Sequence, residues 1–139
     1  MSVNIGTKAT VGFRKSFLFD NATATNIIAQ NQIAAASLVN NDSAALASGN
    51  SVQIIGVTAE PTDTYGYAAV QLNEIAQVRV GSTNISVGQK VTSDANGNAT
   101  PFTPSASGTV ERGVLGTALQ SATAGNLVDV LIAIGTSNG

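Results

Sequence analysis

The order of apolar and polar positions along this chain predicts short β-strands rather than helices. The stretch AQVRV at 76–80 alternates apolar and polar side chains, the period-two pattern of a strand with one buried face. Other runs rich in Val, Ile and Ala are bounded by turn-forming residues and are also predicted to be strands: 26–39, 51–59, 67–72, 84–94, 108–120 (as two short strands) and 127–134. Because no regular strand–helix alternation is visible, we predict an all-β fold: one small β-barrel or sandwich of short strands at 26–139, preceded by an extended N-terminal arm at 1–25.

Glycine and asparagine mark the predicted turns. The pair Asn96-Gly97 predicts a hairpin with a type I′ turn, in which both central residues have a positive φ. Gly56 interrupts the strand predicted at 51–59 and indicates a β-bulge or a close backbone approach. At 42–49 we predict one helical turn, with Asp42 as its N-cap and Gly49 as its end.

A four-residue pattern of Gly, a side-chain amide, any residue and Val occurs three times, at 49–52, 88–91 and 125–128. Glycine permits a tight entry to a strand, the amide can bond to turn backbone, and the valine supplies the first core side chain. The pattern predicts three equivalent turns, although matches of this length also arise by chance.

The N-terminal arm predicted at 1–25 has its own composition. Three of the six basic residues lie in it, and no acidic residue precedes Asp20. Phenylalanines at alternating positions indicate an extended segment with an aromatic face. We therefore predict that the arm contacts a partner through Lys8, Phe13, Arg14, Lys15, Phe17 and Phe19. The alternative is that this segment is an ordinary first strand of the domain.

The last predicted strand, 127–134, is apolar on both faces apart from Asp129. A strand in a monomeric sandwich is expected to have one polar face. Either this strand is central and covered on both sides by its own chain, or another subunit covers one side, and we predict the second. The subunit-interface candidates are Leu127, Val128, Val130, Leu131, Ile132 and Ile134.

The composition excludes several kinds of chemistry. The chain of 139 residues has no Cys and no His, which excludes disulfides, thiolate metal sites and Ser–His or Cys–His catalysis. Its eight carboxylates are scattered, and the stretch DANGNA at 94–99 has its Gly at the fourth position rather than the sixth position of a calcium loop. We predict that the protein is not an enzyme and has no catalytic residues, cofactor or metal site.

The charge of the chain is low and nearly balanced, with 10% charged residues and a net charge of −2. No global field attracts nucleic acid, and Arg and aromatic residues are too few for a single-strand binding groove. No apolar run approaches the ~18 residues that cross a bilayer, and the start of the chain shows no secretory-signal pattern. We predict neither nucleic acid nor a membrane as a partner.

Two segments within about residues 65–132 carry recurring glycines and valines, one in a strand followed by a hairpin and the other in a closing strand. The residues concerned are Gly88, Val91, Asp94, Gly97 and Pro101, then Gly116, Ala118, Leu119, Gly125, Val128 and Val130. At these positions the chain resembles the capsid cement, or head decoration, proteins of tailed bacteriophages. The chain departs from the family at Gln89 and Asn126, where an acid is usual. These positions describe turns and core rather than a catalytic site.

The resemblance implies a small structural β-protein, usually a homotrimer, that binds the outer surface of the viral head and stabilises the capsid. Its partners would be the major capsid protein and its own copies, on the outside of the virion capsid after synthesis in the host cytoplasm. The alternative is a carbohydrate-binding or adhesin-like β-module of a phage tail or fibre. The chain is poorly equipped for that role, because it has no Trp and its only tyrosines are Tyr65 and Tyr67.

Overall fold

The computed structural model describes residues 9–10, 12–49, 51–103 and 111–137, and in these residues the protein is all-β, without helices. The described part contains ten strands: β1 (Arg14–Phe19), β2 (Ile33–Ala36), β3 (Ser43–Leu46), β4 (Ile54–Thr58), β5 (Tyr67–Gln71), β6 (Ile75–Arg79), β7 (Lys90–Ser93), β8 (Ala99–Pro101), β9 (Arg112–Ala118) and β10 (Leu127–Ser137). The predicted fold class is confirmed.

Five strands close into a small barrel in the order β1-β3-β2-β4-β5. β1 completes the barrel because it pairs in parallel with β3 and antiparallel with β5. The interior of a barrel with few strands is narrow. Alanines on β2, β3 and β5 leave room inside the barrel for one buried aromatic ring, that of Phe19. The buried residues of the barrel core are Phe19, Ile28, Ala34, Ala44, Ala68 and Val70.

The other five strands form a second sheet in the order β6-β10-β9-β7-β8. A parallel bridge between Val80 and Ala99 brings the two edges of this sheet together. The buried side chains of the sheet pack against β2 and β4, which contribute Ile33, Ala35, Ile54 and Val57 to the shared core. Because alternate residues of a strand point to opposite sides, β2 and β4 form a wall between the two cores.

The turn predictions are confirmed in part. β7 and β8 form the expected hairpin, but only Gly97 of the predicted pair has a positive φ, 79°, so the turn is not type I′. The carboxylate of Asp94 instead accepts hydrogen bonds from the N–H groups of Asn96 (2.8 Å) and Asn98 (3.0 Å) and organises a longer connection. Gly56 lies at the register shift between β2 and β4, which confirms the predicted irregularity.

Two of the three repeated turns are equivalent. Gly88 and Gly125 have φ values of 87° and 85°, and the valine three positions after each glycine is fully buried. Gly49 does not have a positive φ, and Val52 is exposed. The pattern therefore marks the entries to β7 and β10, and the copy at 49–52 is a chance match.

Three local predictions are wrong. The segment 42–49 contains β3 rather than a helical turn, because Ala44 is buried in the barrel between two neighbouring strands. The described part of 108–120 forms one strand, β9, rather than two. The strand predicted at 26–39 is confined to β2.

The predicted boundary between an arm at 1–25 and a separate domain is also corrected. Residues 14–19 are β1, and without β1 the barrel would not close. The alternative of an ordinary first strand is therefore the one observed for these residues. Residues 1–8 lie outside the described part of the chain.

Candidate functional site

Several surface cavities lie among the described residues, and their polar lining groups are mostly amides and hydroxyls. Among the described residues, no three acidic side chains lie close enough together to hold a metal ion. A surface cavity of about 520 Å³ lies between the β6–β7 and β9–β10 connections, and it is lined by amide, hydroxyl and aliphatic groups, Asn84, Ser121 and Asn126 among them. No titratable side chain lines this cavity.

The predicted contact residues of the N-terminal segment do not share one surface. Phe19 is only 2% exposed and fills the barrel, so its predicted role as a partner contact is corrected to that of a core residue. Phe17 is half-buried against the same core, with the Nζ of Lys15 4.5 Å from the centre of its ring. Lys8 lies outside the described residues. The exposed members of the set are Phe13, Arg14 and Lys15.

Within the described residues, the chain itself covers its apolar last strand over the first half only. Val128 and Val130 are fully buried in the core that the two sheets share, so their predicted place in a subunit interface is corrected. Asp129, on the opposite face, is also fully buried, and the strand is central at this point. Of the remaining candidates, two are partly buried and two are exposed: Leu127 and Ile132, then Leu131 and Ile134.

The second half of β10 has a free edge within the described structure. β6 pairs with β10 only as far as Leu131, which lies opposite Ile75. From there to Ser137, β9 is the only described strand that pairs with it, with a register shift between Ile132 and Gly135. Residues 132–137 include no charged residue and no proline, the residue types that usually protect a strand edge. At the start of this edge the N–H of Ile132 donates to the carbonyl oxygen of Glu74 (2.8 Å), and beyond it no second described strand pairs with β10.

Sequence reasoning missed the connection between β2 and β3. Leu38 and Val39 lie in it and are 83% and 80% exposed. They immediately precede the polar turn sequence NND at 40–42. This arrangement could have predicted their exposure from the sequence. An aliphatic pair next to turn-forming residues falls at the end of a hairpin, where its own chain covers it poorly.

The two tyrosines lie near the end of β1. Tyr67 opens β5 and is paired in register with Leu18, and both side chains are exposed on the outside of the barrel. The carboxylate of Asp63 accepts hydrogen bonds from the N–H groups of Tyr65 and Tyr67, each 2.9 Å long. The carboxylate thereby fixes a connection that presents aromatic surface to solvent.

No protein-family model matches this chain, and no curated protein matches it. Eight solved chains do match it. One is the N base of head fiber gp8.5 in bacteriophage phi29, which has a TM-score of 0.61 and 20% sequence identity and covers 87% of this chain and 93% of that chain. At this identity the likeness is one of fold. The coverage extends it over both the barrel and the second sheet.

Proposed function

We propose that this protein is a structural component of a bacteriophage head that binds the outer surface of the capsid and stabilises it. The observation that carries this proposal is the fold shared with the N base of a phage head fiber over 87% of the chain. The resemblance of residues 65–132 to capsid cement proteins supports the same role from a different direction, because it rests on sequence motifs rather than on the fold.

Capsid stabilisation of this kind requires binding but no catalysed reaction. We propose no catalytic activity, cofactor, nucleic-acid partner or membrane partner. A protein that binds the assembled shell but not its dissociated subunits shifts the equilibrium towards assembly by mass action. Repetition of the site over the shell adds avidity when copies are joined to one another. The proposed location is the outer surface of the virion capsid, after synthesis in the host cytoplasm.

The proposed partners are the major capsid protein and further copies of this chain. The exposed half of β10 is suited to self-association, because uncharged backbone and aliphatic side chains lie together there, and a homotrimer is the state that the cement-protein resemblance implies. The residues proposed for self-association are Leu131 and Ile134, and those proposed for contact with the capsid protein are Phe13, Arg14 and Lys15, with Lys8 preceding them.

Binding to phage heads that lack this protein tests the proposal. Purified protein should sediment with such heads, saturate at a fixed number of copies per head, and raise the temperature at which the heads release DNA. Light scattering of the free protein gives the number of chains per particle. Heads that neither bind the protein nor gain heat resistance would contradict the proposal.

The exposed tyrosines support one alternative, a carbohydrate-binding or adhesin-like module of a tail or fibre. Aromatic rings beside polar groups suit sugar binding, and Tyr65 and Tyr67 lie on a connection fixed by Asp63. A glycan-array signal that disappears in both Tyr65→Ala and Tyr67→Ala would favour this alternative over capsid binding.

A further inference from the structure

The connection at residues 37–42, here named the hairpin tip, exposes two adjacent aliphatic side chains. Leu38 and Val39 are the most exposed large aliphatic residues in the described part of the chain. Single exposed aliphatic residues are common on protein surfaces and need no explanation. A neighbouring pair at the end of a hairpin is different, because both side chains can enter one pocket of a partner together.

A hydrogen-bond network centred on Asp20 holds the hairpin tip in place. The two carboxylate oxygens of Asp20 accept hydrogen bonds from the hydroxyl of Ser37 (2.7 Å) and the side-chain amide of Asn40 (2.8 Å). The Ser37 hydroxyl oxygen in turn accepts bonds from the backbone N–H groups of Val39 (3.1 Å) and Asn40 (2.9 Å). A loop that is already ordered loses little conformational entropy when it binds. The network therefore favours docking by the two aliphatic side chains.

The hairpin tip carries one acidic side chain, Asp42, and no basic one. The barrel strands span residues 14–71, which contain two basic and four acidic residues: Arg14 and Lys15, then Asp20, Asp42, Glu60 and Asp63. Both basic residues lie at the start of β1, at the opposite end of that strand from Asp20. Asp42 belongs to the hairpin tip, and Asp20 is bonded to it. A protein surface that binds here is therefore expected to present Lys or Arg around the contact.

We propose that the hairpin tip anchors this protein in an aliphatic pocket, rimmed by basic residues, on the shell protein of the phage head. This inference rests on the proposed function and names the surface that carries it. An apolar anchor that enters a pocket, surrounded by complementary charges, is the arrangement from which a few residues supply most of the binding energy. The surface is distinct from the N-terminal candidates, because Arg14 begins β1 and Asp20 follows its other end.

The test compares the double variant Leu38→Ser/Val39→Ser with the matched control Val87→Ser. Val87 is 63% exposed and lies in the β6–β7 connection, outside the barrel, so the control also removes an exposed aliphatic side chain. Co-sedimentation with heads that lack the protein gives the dissociation constants. We expect at least about tenfold weaker binding for the double variant and unchanged binding for the control. Wild-type affinity in the double variant would overturn the inference.

Two further variants separate the ordering of the tip from its charge. Ser37→Ala keeps both aliphatic side chains and every charge but removes the hydroxyl that joins Asp20 to the backbone of the tip, and we expect about three- to tenfold weaker binding. Asp42→Asn should make binding less sensitive to salt, whereas Glu111→Gln, which removes a charge outside the barrel, should leave the salt dependence unchanged. The same salt dependence in Asp42→Asn as in the wild type would contradict the basic rim.

Head binding by the wild-type protein, and the mass of the free protein in light scattering, distinguish the remaining outcomes. Failure of the wild-type protein to bind heads would overturn the proposed function and this inference with it. Normal wild-type binding that the tip variants do not alter would overturn the inference alone. If the double variant lowers the mass of the free protein in light scattering, the hairpin tip is a contact between copies, and the inference is again overturned.

Discussion

Gly56 lies directly against the backbone of Gln71, so that a Cβ on residue 56 would overlap the carbonyl oxygen of Gln71 and lie 3.0 Å from its carbonyl carbon. The contact joins β4 to β5 at the point where the register between β2 and β4 shifts. The barrel can close here because residue 56 has no side chain.

Replacement of Gly56 by Ala should therefore destabilise the protein. The added methyl group meets backbone rather than the end of a flexible side chain, and overpacking of this kind costs about 1–3 kcal/mol. Urea unfolding measures the change. Gly135→Ala is the matched control, because a Cβ there has nothing within 4 Å, and we expect its stability to change by less than about 0.5 kcal/mol. Equal midpoints for the two variants would refute the explanation.

Replacement of Phe19 by Ala should lower stability, whereas replacement of Phe13 by Ala should affect head binding instead. Phe19 is buried in the barrel, and Phe19→Ala is expected to lower the free energy of unfolding by about 3–5 kcal/mol. Phe13 is 62% exposed, so Phe13→Ala should change stability by less than about 0.5 kcal/mol and, if the proposed capsid contact is correct, weaken head binding. Thermal melting and co-sedimentation together distinguish the two effects.

The exposed half of β10 should govern the number of chains per particle. The double variant Leu131→Ser/Ile134→Ser removes aliphatic side chains without opening the core, and we expect light scattering to show a loss of mass towards a single protomer. The circular dichroism spectrum should stay the same. Val52→Ser, at a similarly exposed aliphatic position before β4, is the control and should keep the wild-type mass. An unchanged mass in the double variant would exclude this surface as the interface.

Two truncations should differ sharply. Removal of residues 1–8 leaves all ten described strands in place, and we expect a folded protein with weaker head binding if Lys8 takes part. Removal of residues 1–19 deletes β1, opens the barrel and removes Phe19 from its core, so we expect an unfolded or aggregated product. A cooperative melt for the longer truncation would show that closure by β1 is dispensable.

Local pattern accounts for much of the fold. The alternation at 76–80 correctly gave the inward face, since Ala76, Val78 and Val80 are buried, and each side chain's direction follows from its place in one strand. Closure of the barrel is not local, because β1 pairs across the chain, with Leu18 opposite Tyr67. The alanine-rich segment that contains β3 favours helix intrinsically, and its neighbours in the barrel override that weak preference.

The candidate interaction surfaces were harder to predict than the strands, because the exposure of a side chain depends on pairing between distant parts of the chain. Alternation places Phe17 and Phe19 on one face of a strand, but only the closed barrel shows that this face is turned inward. The sequence of β10 does not show where its pairing with β6 stops. That point, at Leu131, separates the buried first half of β10 from its exposed second half. Leu38 and Val39 became notable only once the hairpin placed them at its end.

The position of β2 and β4 has a mechanical consequence. Ala34 points into the barrel core while its neighbour Ile33 points into the core shared with the second sheet. Because β2 and β4 contribute side chains to both cores, unfolding of either half removes packing contacts from the other. We therefore expect calorimetry to record one cooperative unfolding transition rather than two. If the protein stabilises a capsid as proposed, both halves of the subunit remain folded up to one and the same transition temperature.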